Sequence, residues 1–281
     1  MKTVILLAAF SAVVYQVYFQ QQQNNFQSSS DTYSHIILIP LISAYFLYRQ
    51  KKEIFSDIKF NPIAGFPIIV VGMALYLAGS YNGNTLERNT YYCLTVLSAW
   101  TVLVGAFILF YGTQAVKKAS FPFIFLAFAI PIPEAFLEPF IHALQWGSAE
   151  TANGLFQLAG VPVAHDGYFF YLPGLNIEVA EQCSGIRSSI SLIIVSVVAG
   201  HLFLYKSSKK VVLALSALPI AIVKNGMRIV TLSLLGAYVD RRVLSSELHR
   251  DGGILFFLIA LVLLGSVLFL LRKSENPAAR K

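Results

Sequence analysis

Apolar residues along this chain gather into long runs instead of alternating with polar ones. Eight runs are read as helices that cross a bilayer: Val4–Phe19, Tyr33–Tyr48, Ile63–Tyr81, Thr90–Tyr111, Phe121–Phe140, Gly185–Tyr205, Val211–Val239 and Ile254–Leu271. A helix of roughly 20 apolar residues spans a hydrocarbon core ~30 Å thick. The second run is short, and the fifth is broken by Pro131, Pro133, Glu134, Glu138 and Pro139. After it, Ala143–Leu158 has helical spacing with polar interruptions, which suits a helix lying on the interface. Turn signals then flank Tyr168–Tyr171, at His165-Asp166-Gly167 and Leu172-Pro173-Gly174, and Asn176–Glu181 alternates. That pattern predicts a small β-hairpin leading into Cys183.

The expected fold is therefore an all-α polytopic membrane protein of about eight transmembrane helices, with the hairpin and interfacial helix before the sixth span. One integral membrane domain covers 1–281, made of an N-terminal four-helix part, 1–119, and a part carrying the chemistry, 120–281. The composition leaves no room for a separate soluble domain: 56% of residues are apolar and 12% charged, about half the charged share of a soluble domain. The apolar run that follows Lys2 has no clear small-x-small cleavage site and is read as an uncleaved first span.

Charge gives the direction. Most of the 21 basic residues lie at Lys2, Arg49–Lys59, Lys117–Lys118, Lys206–Lys210 and Arg272–Lys281. Eight crossings put all of these on one side, which the positive-inside rule makes cytoplasmic. Both termini are then cytoplasmic in a plasma (inner) membrane. The stretch from Ala119 to Ile186 has neither Lys nor Arg and reads as extracytoplasmic. The net charge of +7 sits mainly in short loops, so its partners are lipid head groups and not nucleic acid. With Cys93 and Cys183 the only cysteines, there is no disulfide framework or zinc ligand set, and no cofactor is expected.

Three groups stand out because ionisable residues at membrane depth are costly and tend to be functional. Cys183 opens the sixth span from outside, where a helix N-terminus stabilises a thiolate. Ser184 and Gly185 make a tight lead-in with unpaired backbone N–H groups. Arg187 follows one turn after the sulfur. Arg228 lies ~25 Å along the seventh span at 1.5 Å per residue, near the level of Cys183, with Asn225 a turn earlier and Lys224 nearby. His249 stands at the outer mouth of the eighth span. Chain direction thus brings a thiol, a guanidinium and an imidazole to the outer face.

The chain resembles the exosortase/archaeosortase family of membrane cysteine transpeptidases over roughly its C-terminal two-thirds. The matching blocks are Gly160-Val161-Pro162-Val163, Leu172-Pro173-Gly174, Val179 through Arg187, Asn225-Gly226-Met227-Arg228-Ile229, and His249 followed by Gly252-Gly253. The resemblance implies a Cys–Arg–His site in which Cys183 is the nucleophile, Arg228 holds the oxyanion or orients the carbonyl, and His249 shuttles the proton. Ser184, Gly185, Arg187 and Asn225 support them. It also implies secreted protein substrates whose C-terminal sorting signal is a short motif (Pro-Glu-Pro-like in many bacterial members), a transmembrane helix and a basic tail. Water, a lipid or a glycan would resolve the acyl-enzyme.

Other readings stand beside this one. Cys183 can be a small packed hydrophobe or pair with Cys93. Arg228 and Arg187 can snorkel. His165 is the rival proton carrier, whereas His35, His142 and His201 read as interfacial or structural. Arg241, Arg242 and Arg250 read as loop or lipid-facing charges. A small permease or export component would use Lys224, Arg228, Glu134 and Glu138 to line a pathway, and a non-catalytic scaffold for envelope polysaccharide assembly would need none of these groups. Loss of the thiol separates covalent catalysis from both.

Overall fold

The computed structural model describes residues 2–24, 36, 38–83, 85–180, 184–240, 242 and 253–275. It is an all-α polytopic membrane protein with one small sheet. Six described helices are long and apolar enough to cross a bilayer, seven if a helix pair interrupted at 130–133 counts as one span. Eight were expected. One difference is the second run, whose described helix Leu38–Arg49 has 12 residues, or ~18 Å at 1.5 Å per residue. The chain divides into two compact units, Met1–Leu137 and Glu138–Lys281.

The first unit holds α1 (Lys2–Asn24), α2 (Leu38–Arg49), α3 (Lys51–Ile54), α4 (Pro62–Tyr81), α5 (Arg88–Tyr111), α6 (Thr113–Lys118) and α7 (Ser120–Leu126). Asn61 caps α4 by accepting the Ala64 N–H at 3.1 Å, and Pro62 fills the first helical position, where its missing N–H costs nothing. Gly65, Gly72 and Gly79, seven residues apart, are the buried residues of α4. A Cβ at Gly65 would lie 2.6 Å from the Leu109 backbone nitrogen, and one at Gly72 2.7 Å from Val102 Cγ2. This stripe of small residues lets α4 and α5 pack backbone to backbone, the usual device where lipid removes the hydrophobic drive between helices. Ser43 Oγ and Trp100 Nε1 donate to the Pro122 and Phe123 carbonyls at 3.2 and 2.9 Å, tying α7 to α2 and α5.

The fifth run differs from expectation. A helical stretch ends at Ala129, Ile130 is extended with ψ 120°, and α8 then runs unbroken over Glu134–Leu158. The break therefore falls at Pro131 and Pro133, each of which drives its preceding residue out of the helical region. Pro139 lies within α8 and does not interrupt it. One helix thus replaces a span ending at Phe140 and a separate helix over Ala143–Leu158.

The second unit continues with β1 (Ala164–Asp166), β2 (Phe169–Leu172) and β3 (Leu175–Glu178), an antiparallel sheet in that order. The expected hairpin is β2–β3, and β1 adds a third strand. Phe170 and Leu172 point inward from β2 and join Ala149, Ala152 and Phe156 of α8, Val179, and Ile229 and Val230 in one core. Helices α9 (Ile186–Phe203), α10 (Ser207–Tyr238) and α11 (Gly253–Lys273) complete the unit. At the α9–α10 turn, the Tyr205 and Lys206 N–H groups donate to the Glu275 carboxylate at 3.1 and 3.0 Å. Lys209 Nζ meanwhile donates to the Leu271 carbonyl at the end of α11. Glu275 is only 3% exposed.

Candidate active site

Two glycine contacts set α8 against α10. A Cβ at Gly147 would meet Ile222 at 3.2 Å, and one at Gly226 would meet Thr151 Cγ2 at 2.6 Å. Both pairs advance by four residues, so the two helices run in the same direction through this contact. α9 runs the other way: Gly200 packs on Lys210 and Leu213, and Gly185 on Asn225, whose Oδ1 lies 3.0 Å from the position of a Gly185 Cβ. The N-terminus of α9 therefore meets α10 at Asn225, and Arg228 is three residues further on.

Gly185 is the residue before α9 and has φ +76°, a left-handed conformation that side chains with a Cβ disfavour. Its carbonyl accepts three hydrogen bonds, from the Ser189 N–H at 2.9 Å, Ser189 Oγ at 2.8 Å and Ser188 Oγ at 2.9 Å. Ser188 Oγ in turn accepts a bond from Lys224 Nζ. Lys224 and Asn225 are buried, at 3% and 1% exposed, although both sit in a membrane-spanning helix.

α8 adds polar atoms of its own. Gln145 donates to the Val179 carbonyl, which leads toward the α9 lead-in. Gln145 Oε1, Ser148 Oγ and Ser184 Oγ are all buried with no hydrogen-bond partner among the described residues. Orphaned buried polar atoms are few in folded proteins. Here three belong to the elements that converge where α8, α9 and α10 meet, a pattern of a polar site rather than a lipid-facing seam.

Of the expected site residues, the structure thus brings Ser184, Gly185, Asn225 and Arg228 to this junction. Arg228 is half-buried with its Nε inside the protein, whereas Arg187 lies on an exposed face of α9. Cys183 and His249 lie outside the described residues, as do Arg241 and Arg250. His165 stacks on Phe170 with ring centroids 4.6 Å apart, and its Nε2 lies 2.6 Å from the Gly167 carbonyl. It thus serves the β1–β2 turn. Cys93 is a free buried cysteine of α5. Among the described residues, no three His, Cys, Asp or Glu side chains group closely enough to hold a metal ion.

Gln145, Ser148 and Ser188 were not singled out in the sequence. Gln145 and Ser148 did leave a signal: they stand at i, i+3 on the face that Ala149, Ala152 and Phe156 bury, where a purely structural helix would carry apolar residues.

The family model described as transmembrane exosortase matches residues 26–266. No curated protein and no solved structure matches the chain.

Proposed function

The chain belongs to the transmembrane exosortase family, and from that premise we propose that it is a cysteine transpeptidase acting on secreted proteins at the extracytoplasmic face of the plasma membrane. Its substrates carry a C-terminal sorting signal made of a short motif, a transmembrane helix and a basic tail. Cys183 is the nucleophile, Arg228 the oxyanion-stabilising cation and His249 the proton carrier.

The observation that carries this reading is the packing of Gly185 on Asn225. Gly185, two residues after Cys183 in the sequence, thus meets α10 one turn before Arg228. The basic groups favour the same sidedness. Lys206, Lys209 and Lys210 sit at the far end of α9 and α10, beside the end of α11. Arg228 stands 18 residues along α10 from Lys210, ~27 Å at 1.5 Å per residue. With that basic end cytoplasmic, the junction opens toward the other face, and the C-terminal end of α11, which packs beside Lys206 and Lys209, is cytoplasmic.

The chemistry follows from these roles. The Cys183 thiolate attacks the carbonyl carbon of the scissile peptide bond, forming a tetrahedral intermediate whose oxyanion faces the Arg228 guanidinium. In a site that excludes water, such a fixed cation is the largest stabilising term. The intermediate collapses as the C–N bond breaks, and protonated His249 gives its proton to the leaving amine of the anchoring segment. A thioester to Cys183 remains. An acceptor amine or hydroxyl from water, a lipid or a glycan attacks it, gives its proton to His249, and expels the Cys183 thiolate, which restores the starting ion pair.

The test is processing of a co-expressed protein ending in such a signal. Cys183→Ala, Arg228→Ala and His249→Ala should each accumulate the unprocessed form while remaining in the membrane. Normal processing by Cys183→Ala would end the proposal. It would favour the permease or scaffold readings, which do not need the thiol.

A further inference from the structure

A buried ammonium in a membrane helix is costly unless something binds it. Lys224 is 3% exposed, and its hydrogen-bond partner among the described residues is a neutral hydroxyl, Ser188 Oγ. Snorkelling to the head groups would have left the amine at the surface. Instead it points inward, across to α9. Ser188 passes the bond on to the Gly185 carbonyl at 2.9 Å, the acceptor shared with Ser189. A cation on α10 is thus joined by two hydrogen bonds to the left-handed residue that starts α9.

We propose that Lys224 is a positioning residue for the transfer reaction: acting through Ser188, it clamps the Gly185 carbonyl and so fixes the turn from which Cys183 is presented. This rests on Cys183 being the nucleophile. Gly185 holds a left-handed φ of +76° immediately before α9, a conformation that its clamped carbonyl helps to fix. Hydrogen bonds from hydroxyls alone would hold the carbonyl to α9 itself. The Lys224 bond refers it to α10, the helix that also carries Arg228, so nucleophile and oxyanion group share one frame. Its charge also adds to the positive end of the α9 dipole, which favours a thiolate there. Lys224 touches neither substrate nor reacting atoms in this role.

The test uses the full-length protein purified in detergent, with iodoacetamide as the probe and mass spectrometry reading alkylation of Cys183 and Cys93 separately. Lys224→Met and Ser188→Ala should each slow alkylation of Cys183 by about tenfold, the scale of one lost charge-assisted hydrogen bond. The double variant should be no slower than Lys224→Met alone, because both substitutions remove the same hydrogen bond and only the lysine carries the charge. Lys224→Arg, which keeps a donor and the charge, should recover the rate to within about threefold. Cys93, on α5, should be unaffected throughout.

Wild-type Cys183 rates in Lys224→Met and Ser188→Ala would overturn the inference. So would multiplying effects in the double variant, or an Arg variant no faster than the Met variant. Should Lys224→Met fail to accumulate, Ser188→Ala decides alone, since it removes the same link without leaving an apolar chain in place of the amine. If Cys183→Ala abolishes processing while the Lys224→Met thiol reacts normally, only this inference falls. If Cys183→Ala still processes substrate, the transpeptidase reading itself is lost.

Discussion

Gly226→Ala is the sharpest probe of the helix junction. The new Cβ would stand 2.6 Å from Thr151 Cγ2, 2.8 Å from Thr151 Cβ and 3.2 Å from the Ala152 nitrogen. Carbon pairs settle at roughly 3.5–4.0 Å, so α8 and α10 must separate by about 1 Å at this point. Overpacking of that kind costs about 1–3 kcal/mol. On the proposed roles the functional penalty should exceed the stability penalty, because Arg228, the proposed oxyanion cation, lies two residues away, and a 1 Å misplacement of a catalytic group can cost about 100-fold. Thermal unfolding in detergent reports the first effect and processing of a sorting-signal substrate the second. The contact geometry also specifies a rescue. Thr151→Gly removes the two closest carbons, after which the nearest approach is the Ala152 nitrogen at 3.2 Å, at a helix-propensity cost of about 1 kcal/mol. A Gly226→Ala protein that melts and processes like the wild type would refute the reasoning, as would a double variant no better than the single one.

Gly185→Ala should lose about 1–2 kcal/mol from its left-handed dihedral and crowd Asn225 Oδ1 at 3.0 Å. Asn225→Ala added to it should relieve the crowding but not the dihedral, so melting temperature recovers only in part. On the other unit, Gly65→Ala places its Cβ against immovable Leu109 backbone, whereas the nearest atom to a Gly79 Cβ is 3.3 Å away. Gly65→Ala should therefore lower the melting temperature clearly more than Gly79→Ala, and equal losses would count against the glycine stripe. At the α9–α10 turn, the Lys206 N–H is the main cause holding the Glu275 carboxyl below the usual carboxylate range. Burial opposes it, and the Tyr205 N–H and the Lys209 and Lys206 charges assist. The folded protein then keeps Glu275 ionised more readily than the unfolded chain. Its contribution is complete above the unfolded value, about 4.3, and fades as pH falls through the folded one. Melting curves of wild type and Glu275→Gln should converge toward acid pH and diverge near neutrality.

The helical membrane fold was legible because apolar runs of span length have few other uses, and α4, α5, α9, α10 and α11 lie close to their expected limits. The fifth run was harder because three prolines and two glutamates offer several break points. Only packing decides that Pro131 and Pro133 interrupt the helix while Pro139 does not. The Asn225–Arg228 segment and the Ser184-Gly185 turn could be picked out as polar intrusions at one level, and they do converge. The role of Lys224 could not be read this way. A lysine within an apolar run is equally a snorkelling cation or an internal one, and only the long-range bond to Ser188 distinguishes them. The contribution of α8 was hidden for a related reason: Gln145 and Ser148 look like mild interruptions of an interfacial helix until Gly147 and Gly226 are seen to seat that helix on α10.

The same-direction pairing of α8 with α10 has a consequence for how the protein is made. Neighbouring helices that point the same way cannot be joined by a short turn, and here the sheet and α9 form the long crossover between them. Thr151 and Gly226 lie about 75 residues apart in the chain. At ~5–20 residues per second, a ribosome needs roughly 4–15 s to supply the second after the first. Throughout that interval the Gly147 and Thr151 face of α8 lacks the α10 residues Ile222 and Gly226 that pack on it. The junction is thus closed late in synthesis, and any factor that shelters a nascent polar helix would have its work here.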